Sequence, residues 1–193
     1  AINKVYVSHN VTCAIALDVA ASEFYDPSKQ LYKWHGKYLS SEDLIEFYTQ
    51  LVQHYPIYSI EDGIDQNDWD GWALMTKLLK EKIMIVGDDI FVTNAEKLAQ
   101  AIEKNTATAS IIKPNQIGTV SEALQAVALC KEYGLETVIS HRSGETCDTF
   151  IADLAVGAHS RYIKAGGCSR SERIAKYNRL LQIELELVDA DKE

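Results

Sequence analysis

The stretch Ser110-Ile111-Ile112-Lys113-Pro114-Asn115-Gln116-Ile117-Gly118 carries the strongest indication of the fold. The β-branched residues Ile111 and Ile112 favour a short buried strand, which Pro114 cannot continue as a hydrogen-bond donor. Lys113 is therefore expected at the carboxyl end of a strand, where parallel α/β folds keep their chemistry. A partly desolvated lysine can act as a general base there, although a single lysine at a strand end more often extends into solvent.

The same pattern recurs along the chain, because five further apolar runs end in a charged residue and are followed by a helical segment. These runs are 14–17 before Asp18, 57–60 before Glu61, 83–86 before Gly87-Asp88, 137–140 before His141, and 162–163 before Lys164. From Glu61 onward the charges at the run ends recur every 23 to 28 residues, the spacing of one βα unit. Repeated βα units predict a parallel sheet.

Local signals predict the helices and one hairpin. A clear amphipathic helix is expected over 40–54, and a further helix over 146–156. Residues 32–38, with a His-Gly pair, indicate a small hairpin, and 5–7 is β-prone. Helix caps or capping boxes are expected at Ser40, Asn67, Asn94, Thr119 and Ser169.

The parallel sheet could be doubly wound or closed into a barrel. A doubly wound nucleotide-binding fold needs a glycine-rich turn after its first strand, and Asp18-Val19-Ala20 is not one. Charges at nearly every strand end favour a barrel, in which all carboxyl ends converge. A complete barrel has eight strands and typically about 250 residues. With six runs in 193 residues, the chain is expected to be the later three quarters of one.

Composition restricts the class of protein. A net charge of −9 and a pI near 5.0 argue against nucleic acid as a general partner. No apolar run approaches the roughly 18 residues of a membrane span. The four cysteines form no Cys-x-x-Cys pair, so neither a disulfide framework nor a zinc site is indicated. A cytosolic protein is the simplest interpretation.

Three carboxylates, on Asp18, Glu61 and Asp88, follow successive strands. If they converge they repel one another unless a cation lies between them, so a shared metal is expected. Oxygen ligands without a cysteine or histidine favour Mg²⁺ over zinc. Taken singly, each acid is more often a solvated residue at a strand end. That all six charged residues fall at corresponding positions of their strands is much harder to explain as coincidence.

Cationic side chains follow the later strands, at Lys113, Arg142 and Lys164, with His141 and Ser143 adjacent. A site at the carboxyl ends of the strands that is anionic on one side and cationic on the other suits a particular kind of substrate. The carboxylate of that substrate would face the metal while an arginine binds its phosphate.

Several motifs together resemble the enolase family, over nearly the whole chain and in a bacterial form. They are Ala16-Leu17-Asp18, Ser22-Glu23-Phe24-Tyr25, Ser59-Ile60-Glu61-Asp62, Val86-Gly87-Asp88-Asp89, Lys113 with Asn115-Gln116-Ile117-Gly118, Ser140-His141-Arg142-Ser143-Gly144-Glu145-Thr146, and Arg170-Ser171-Glu172-Arg173 with Ala175-Lys176-Tyr177-Asn178.

The resemblance implies a lyase of glycolysis that dehydrates 2-phosphoglycerate to phosphoenolpyruvate. It implies that Mg²⁺ is held by Asp18, Glu61 and Asp88. Lys113 would be the general base that removes the α-proton, and Lys164 would be the second catalytic lysine, on the carboxylate side of the substrate.

The resemblance also implies that His141, Arg142 and Ser143 bind the substrate, the last two through its phosphate. Two departures stand beside these residues. Residues 164–168 read Lys-Ala-Gly-Gly-Cys where the family usually has Lys-Thr-Gly-Ala-Pro, which could loosen the loop. Cys147 replaces a usual acidic residue.

At the level of the fold, the resemblance implies a TIM-type, enolase-like barrel that is incomplete, with residues 1–193 forming the C-terminal part of a single barrel domain. The family's N-terminal capping domain and first strands carry the acid that protonates the leaving hydroxide and a mobile loop serine. The chain alone is therefore expected to be inactive. Because an arc of six strands leaves two raw edges that barrel closure would remove, the chain is also expected to be poorly soluble or dependent on its missing portion.

The resemblance further implies a cytoplasmic enzyme, with cell-surface or secreted presence also known in the family, that is homo-oligomeric at full length. Two alternatives stay open. One is another member of the enolase superfamily, against which Arg142 and Ser143 argue because those members generally lack a phosphate site. The other is a non-catalytic interaction or scaffold fragment.

Overall fold

The computed structural model describes residues 1–190, so the last three residues of the expected domain 1–193 lie outside the described residues. Two compact units are present. The first comprises Ala1–Ile90 and Ala99–Ala109, and the second comprises Phe91–Leu98 and residues 110–190. That the whole chain is part of one barrel domain stays a prediction.

The strands of the first unit confirm the first three apolar runs. They are β1 (Ile15–Asp18), β2 (Tyr25–Asp26), β3 (Leu31–Trp34), β4 (Lys37–Leu39), β5 (Ile57–Glu61) and β6 (Met84–Gly87). Strands β1, β5 and β6 lie side by side in that order and pair in parallel. Consecutive parallel neighbours require the chain to cross over through a helix between strands, as the βα repeat predicts.

The second unit confirms the later runs, with β7 (Ala109–Ile112, in this unit from Ser110), β8 (Glu136–Ser140) and β9 (Tyr162–Lys164). They again follow chain order, and β8 pairs with β9 in parallel. Ile111, Ile112 and Ile139 are buried. A strand buried on both faces needs a continuous apolar run, which is the pattern seen in the sequence.

The helices of the first unit differ from the prediction in two ways: one contains residues expected to be β-prone, and another begins at a different cap. They are α1 (Ile2–His9), α2 (Ser41–His54) and α3 (Trp69–Leu79). Ser40 caps α2 as predicted, but the cap of α3 is Asp68 rather than Asn67, because the Asp68 carboxylate accepts from the Gly71 N–H. The β-prone residues 5–7 lie in α1, a helix without buried residues that closes at Asn10 in a left-handed conformation.

The predicted hairpin is present. Strands β2, β3 and β4 form an antiparallel sheet, and His35 and Gly36 between β3 and β4 both have positive φ angles, 46° and 78°. Two positive φ angles match the twist of the flanking strands, which explains the His-Gly pair.

The remaining helices are α4 (Ala95–Lys104), α5 (Pro114–Ile117), α6 (Val120–Glu132), α7 (Phe150–Gly157) and α8 (Ser171–Ala190). Asn94 and Thr119 accept backbone N–H groups at the starts of α4 and α6, as predicted. The cap of α8 is Arg170 rather than the predicted Ser169, because the Arg170 carbonyl accepts the N–H groups of Arg173 and Ile174. No helix within residues 1–190 combines the length and apolar character that crossing a membrane demands.

The predicted helix over 146–156 begins late. It starts at Phe150, after a turn in which the Asp148 carboxylate accepts the Phe150 N–H at 2.9 Å. Residues 141–149 are therefore left without regular structure between β8 and α7. Such a segment depends on side-chain contacts for its conformation.

Candidate active site

The carboxyl ends of the first unit's parallel strands carry the predicted metal ligands. Asp18 ends β1, Glu61 ends β5, and the two are register partners. Glu61 in turn pairs with Val86, and Asp88 follows β6 directly. Because parallel strands end at one edge of a sheet, all three carboxylates lie at the same edge. Glu61 and Asp88 are each only 7% exposed, whereas Asp18 is exposed.

A second acidic group overlaps this set. Carboxylate oxygens of Asp62, Asp88 and Asp89 lie within 4.8 Å of one another. The two oxygens of Asp62 accept the backbone N–H groups of Asp88 and Asp89, each at 2.9 Å. Burial raises the pKa of Asp62 to about 7, with the nearby Asp88 and Asp89 acting in the same direction and the two N–H groups opposing. Asp62 thereby fixes the backbone that carries Asp88.

The chemistry of these donors fits Mg²⁺. All the candidate ligands are carboxylate oxygens, the hard donors that Mg²⁺ prefers, and the two candidate sets share Asp88. Sequence reasoning missed Asp62 and Asp89 as neighbours of the site. The acidic doublets Glu61-Asp62 and Asp88-Asp89 were the signal that could have found them.

The second unit collects the predicted cationic residues. Lys113 follows β7, His141 follows β8, and Lys164 ends β9, with the Lys164 carbonyl accepting the His141 N–H at 2.9 Å. Burial lowers the pKa of His141, and the positive charges of Arg173, Lys164 and Lys113 lower it further, while Glu145 opposes them. His141 is therefore a neutral imidazole among cations at neutral pH.

Thr93 supports the backbone of Lys113. Its hydroxyl accepts the Lys113 N–H at 2.9 Å, and its side chain is fully buried. Val92 and Thr93 have φ angles of 46° and 59°, which are strained for β-branched residues. Such strain is retained where the surrounding contacts hold it, and this contact was not foreseen from the sequence.

Arg142 and Ser143 lie in the irregular segment after β8. The Arg142 guanidinium is 3.3 Å from the Asn115 side-chain oxygen, and Ser143 is exposed. A pocket of about 490 Å³ adjoins this segment, and its lining includes Pro114, Asn115, Ser140, Arg142, Glu145 and Lys176. Ser143 is not among the lining residues but lies between two of them, Arg142 and Gly144. An arginine that lines a pocket can bind a phosphorylated anion there.

Parallel βα units that carry acids or cations at their strand ends are typical of barrel-type enzyme domains. The chain belongs to the enolase family: residues 1–192 match the family model described as "Enolase, C-terminal TIM barrel domain". The predicted class, an α/β TIM-type barrel domain of enolase type, is confirmed.

Curated relatives agree with this assignment. The chain is 55% identical over 175 residues to an "Enolase" of Helicobacter pylori, and 55% identical over 174 residues to the "Enolase" of a Nitratiruptor species. Each alignment covers 90% of this chain and 41% of the relative. "Enolase" of Helicobacter hepaticus is 54% identical over 179 residues, covering 92% of this chain and 42% of the relative. The chain thus spans well under half the length of these relatives.

Proposed function

We propose that this chain, as part of a longer protein, carries most of the active site for the Mg²⁺-dependent dehydration of 2-phosphoglycerate to phosphoenolpyruvate. The observation that carries the proposal is the cluster of Lys113, Lys164 and Arg173 around the neutral His141, beside Arg142. In a protein of net charge −9, such a local concentration of cations suits a small, multiply charged anion.

The cations divide the binding of the substrate between them. Arg142 and Ser143 bind the phosphate, because a guanidinium fork and a hydroxyl match its oxygens. Lys164 faces the carboxylate and stabilises the negative charge that builds on it during the reaction. His141, held neutral by its surroundings, donates or accepts a hydrogen bond without adding a further charge.

Lys113 acts as the general base. Once deprotonated, its amine takes the α-proton, and the electron pair of the broken C–H bond moves onto the substrate carboxylate to give an enolate-like intermediate. That electron pair then forms the C=C bond as the C–OH bond breaks. The departing hydroxide takes a proton from a general acid and leaves as water. By family resemblance that acid comes from a part of the enzyme outside these residues.

Asp18, Glu61 and Asp88 would hold the Mg²⁺. When bound, the ion supplies charge stabilisation for the substrate carboxylate as its α-proton leaves. The carboxylates themselves place this positive charge at the strand ends and, by pairing with it, relieve their own repulsion.

The test is the formation of phosphoenolpyruvate from 2-phosphoglycerate by the complete enzyme that contains this chain, with Mg²⁺ and after chelation. Turnover is expected only with the metal. An Arg142→Met variant should raise the KM for 2-phosphoglycerate strongly, while the control Arg161→Met, at an exposed arginine before β9, should leave it unchanged. Equal behaviour of the two variants would contradict the proposed phosphate site.

We further propose a cytoplasmic enzyme that assembles as a homo-oligomer at full length. Support for both comes from the family resemblance. Size-exclusion chromatography with light scattering measures the oligomeric state of the complete enzyme.

A further inference from the structure

Lys176 is a buried charge on α8. Its side chain is 1% exposed, and its ammonium donates to Glu145 Oε2 at 2.8 Å, to the Thr146 carbonyl at 2.6 Å and to the Glu172 carbonyl at 2.8 Å. An ammonium has three N–H donors, so these acceptors match its full capacity. Two of the three acceptors lie in the irregular segment after β8.

Glu145 links Lys176 to the proposed phosphate-binding residues through hydrogen bonds. Its other oxygen, Oε1, accepts the backbone N–H of Arg142 at 3.0 Å. The Lys176 charge and these hydrogen bonds lower the pKa of Glu145 in spite of its partial burial, so the carboxylate stays ionised at neutral pH. One carboxylate therefore connects α8 to the backbone of Arg142.

Arg173, one turn earlier on α8, holds the same segment from a second point. Its guanidinium donates to the carbonyls of Arg142 and Ser143, each at 2.9 Å, and contacts the His141 ring. Gly166 leaves room for it, because a Cβ there would lie 2.8 Å from the Arg173 Cδ. A guanidinium that binds two carbonyls fixes the direction of the chain between them.

We infer that Lys176 and Arg173 are positioning residues, which hold Arg142 and Ser143 in the conformation that binds the substrate phosphate. This inference rests on the proposed function. Residues 141–149 have no regular structure of their own, so without these two side chains the binding groups would have to be ordered at the expense of affinity. Lys176 and Arg173 act through Arg142 and Ser143.

The experiment uses the complete enzyme with Lys176→Met, which removes the charge and keeps the length of the side chain. The matched control is Arg179→Met, because Arg179 lies one turn further along α8 and pairs with Asp153 and Glu186 instead. Two quantities are measured: amide hydrogen exchange of residues 141–147, and the KM for 2-phosphoglycerate against the rate of α-proton exchange at saturation.

Lys176→Met is expected to speed amide exchange of 141–147 and to raise the KM by about tenfold or more, with the saturated exchange rate within about threefold of the unchanged enzyme. Arg179→Met should alter neither. If Lys176→Met folds with unchanged amide exchange and KM, or if the control shows the same changes, the inference is overturned.

Glu145→Gln is the second variant, should Lys176→Met fail to fold. It keeps the shape of the side chain, removes its charge, and is expected to raise the KM in the same direction; an unchanged KM overturns the inference. The amide exchange measurement also separates the two proposals. If exchange rises in the variant but the unchanged enzyme forms no phosphoenolpyruvate, the proposed function fails while the structural role of Lys176 stands.

Discussion

The hydroxyl of Thr93 accepts a hydrogen bond from the backbone N–H of Lys113 at 2.9 Å, across a separation of 20 residues in the chain. Thr93 is buried in the second unit and has a left-handed backbone. The contact ties the end of β7 to the loop before α4. The position of the proposed base therefore depends on a residue to which the proposed mechanism gives no contact with the substrate.

Thr93→Val removes the hydroxyl and preserves the shape of the side chain. We expect the free energy of unfolding to fall by about 1–3 kcal/mol, because a partly buried N–H loses its acceptor. Equilibrium urea unfolding measures the change. Thr93→Ser is the control, since it retains the acceptor, and a Thr93→Ser variant as unstable as Thr93→Val would contradict the role of this bond.

Lys113→Ala, in the complete enzyme, is expected to abolish isotope exchange of the substrate α-proton while leaving Mg²⁺ binding nearly intact. The reason is that the lysine removes the proton but is not a metal ligand. Lys131→Ala, at an exposed lysine in the last turn of α6, is the control and should exchange normally. Exchange near the unchanged rate in Lys113→Ala would exclude it as the base.

The two overlapping carboxylate sets make different predictions for the metal. With Mg²⁺ bound, oxygens of Asp18, Glu61 and Asp88 are expected about 2.0–2.1 Å from the ion. Asp18→Asn should therefore weaken Mg²⁺ binding by calorimetry far more than Asp89→Asn. The reverse order, or a crystal structure with the ion among Asp62, Asp88 and Asp89, would show that the second set is the site.

His141 should titrate below its ordinary pKa of 6.5, because burial and the charges of Arg173, Lys164 and Lys113 outweigh that of Glu145. The unfolded state then binds more protons between the two pKa values. The free energy of unfolding consequently rises with pH through this window, and the contribution of His141 is lost as pH falls below about 6.5. NMR of the histidine ring measures the pKa directly.

Arg173→Met removes one of these positive charges, so the pKa of His141 should rise toward its ordinary value. Arg179→Met, on the same helix but paired with Asp153 and Glu186, should leave it unchanged. A His141 that titrates at or above 6.5 in the unchanged protein would refute the described electrostatics.

We expect the 193-residue chain by itself to form no phosphoenolpyruvate. The family resemblance implies that the acid and the mobile serine come from a part of the enzyme outside these residues, and a base alone cannot expel hydroxide. The assay compares the purified chain with the complete enzyme at equal concentration. An ordinary rate from the chain alone would place the acid within these residues.

Much of the architecture could be predicted because its causes are local. Apolar runs such as Ile111-Ile112 favour burial in a parallel sheet. Because a charged residue comes directly after each run, the charges then lie at one edge of that sheet. The failures have local causes as well. Asp68 competes with Asn67 for the same cap, and Arg170 rather than Ser169 precedes α8. Asparagine and aspartate have similar capping propensities, so pattern alone cannot rank them, and pattern places the start of a helix such as α8 only to within one or two residues.

The sequence by itself determined the strand runs, most helix caps, the acids and cations at the strand ends, and the family. Only the tertiary structure decided which side chains hold the site residues in place. Asp62 accepts the backbone N–H of Asp88, Thr93 accepts that of Lys113, and Lys176 donates to Glu145. The side chains of a strand or a helix alternate between faces with a fixed period over a few neighbouring residues, so the hydrophobic pattern of the sequence reveals these elements. Contacts between residues 20 to 31 positions apart depend on how separate elements pack, and packing follows from shape and burial rather than from any repeating interval.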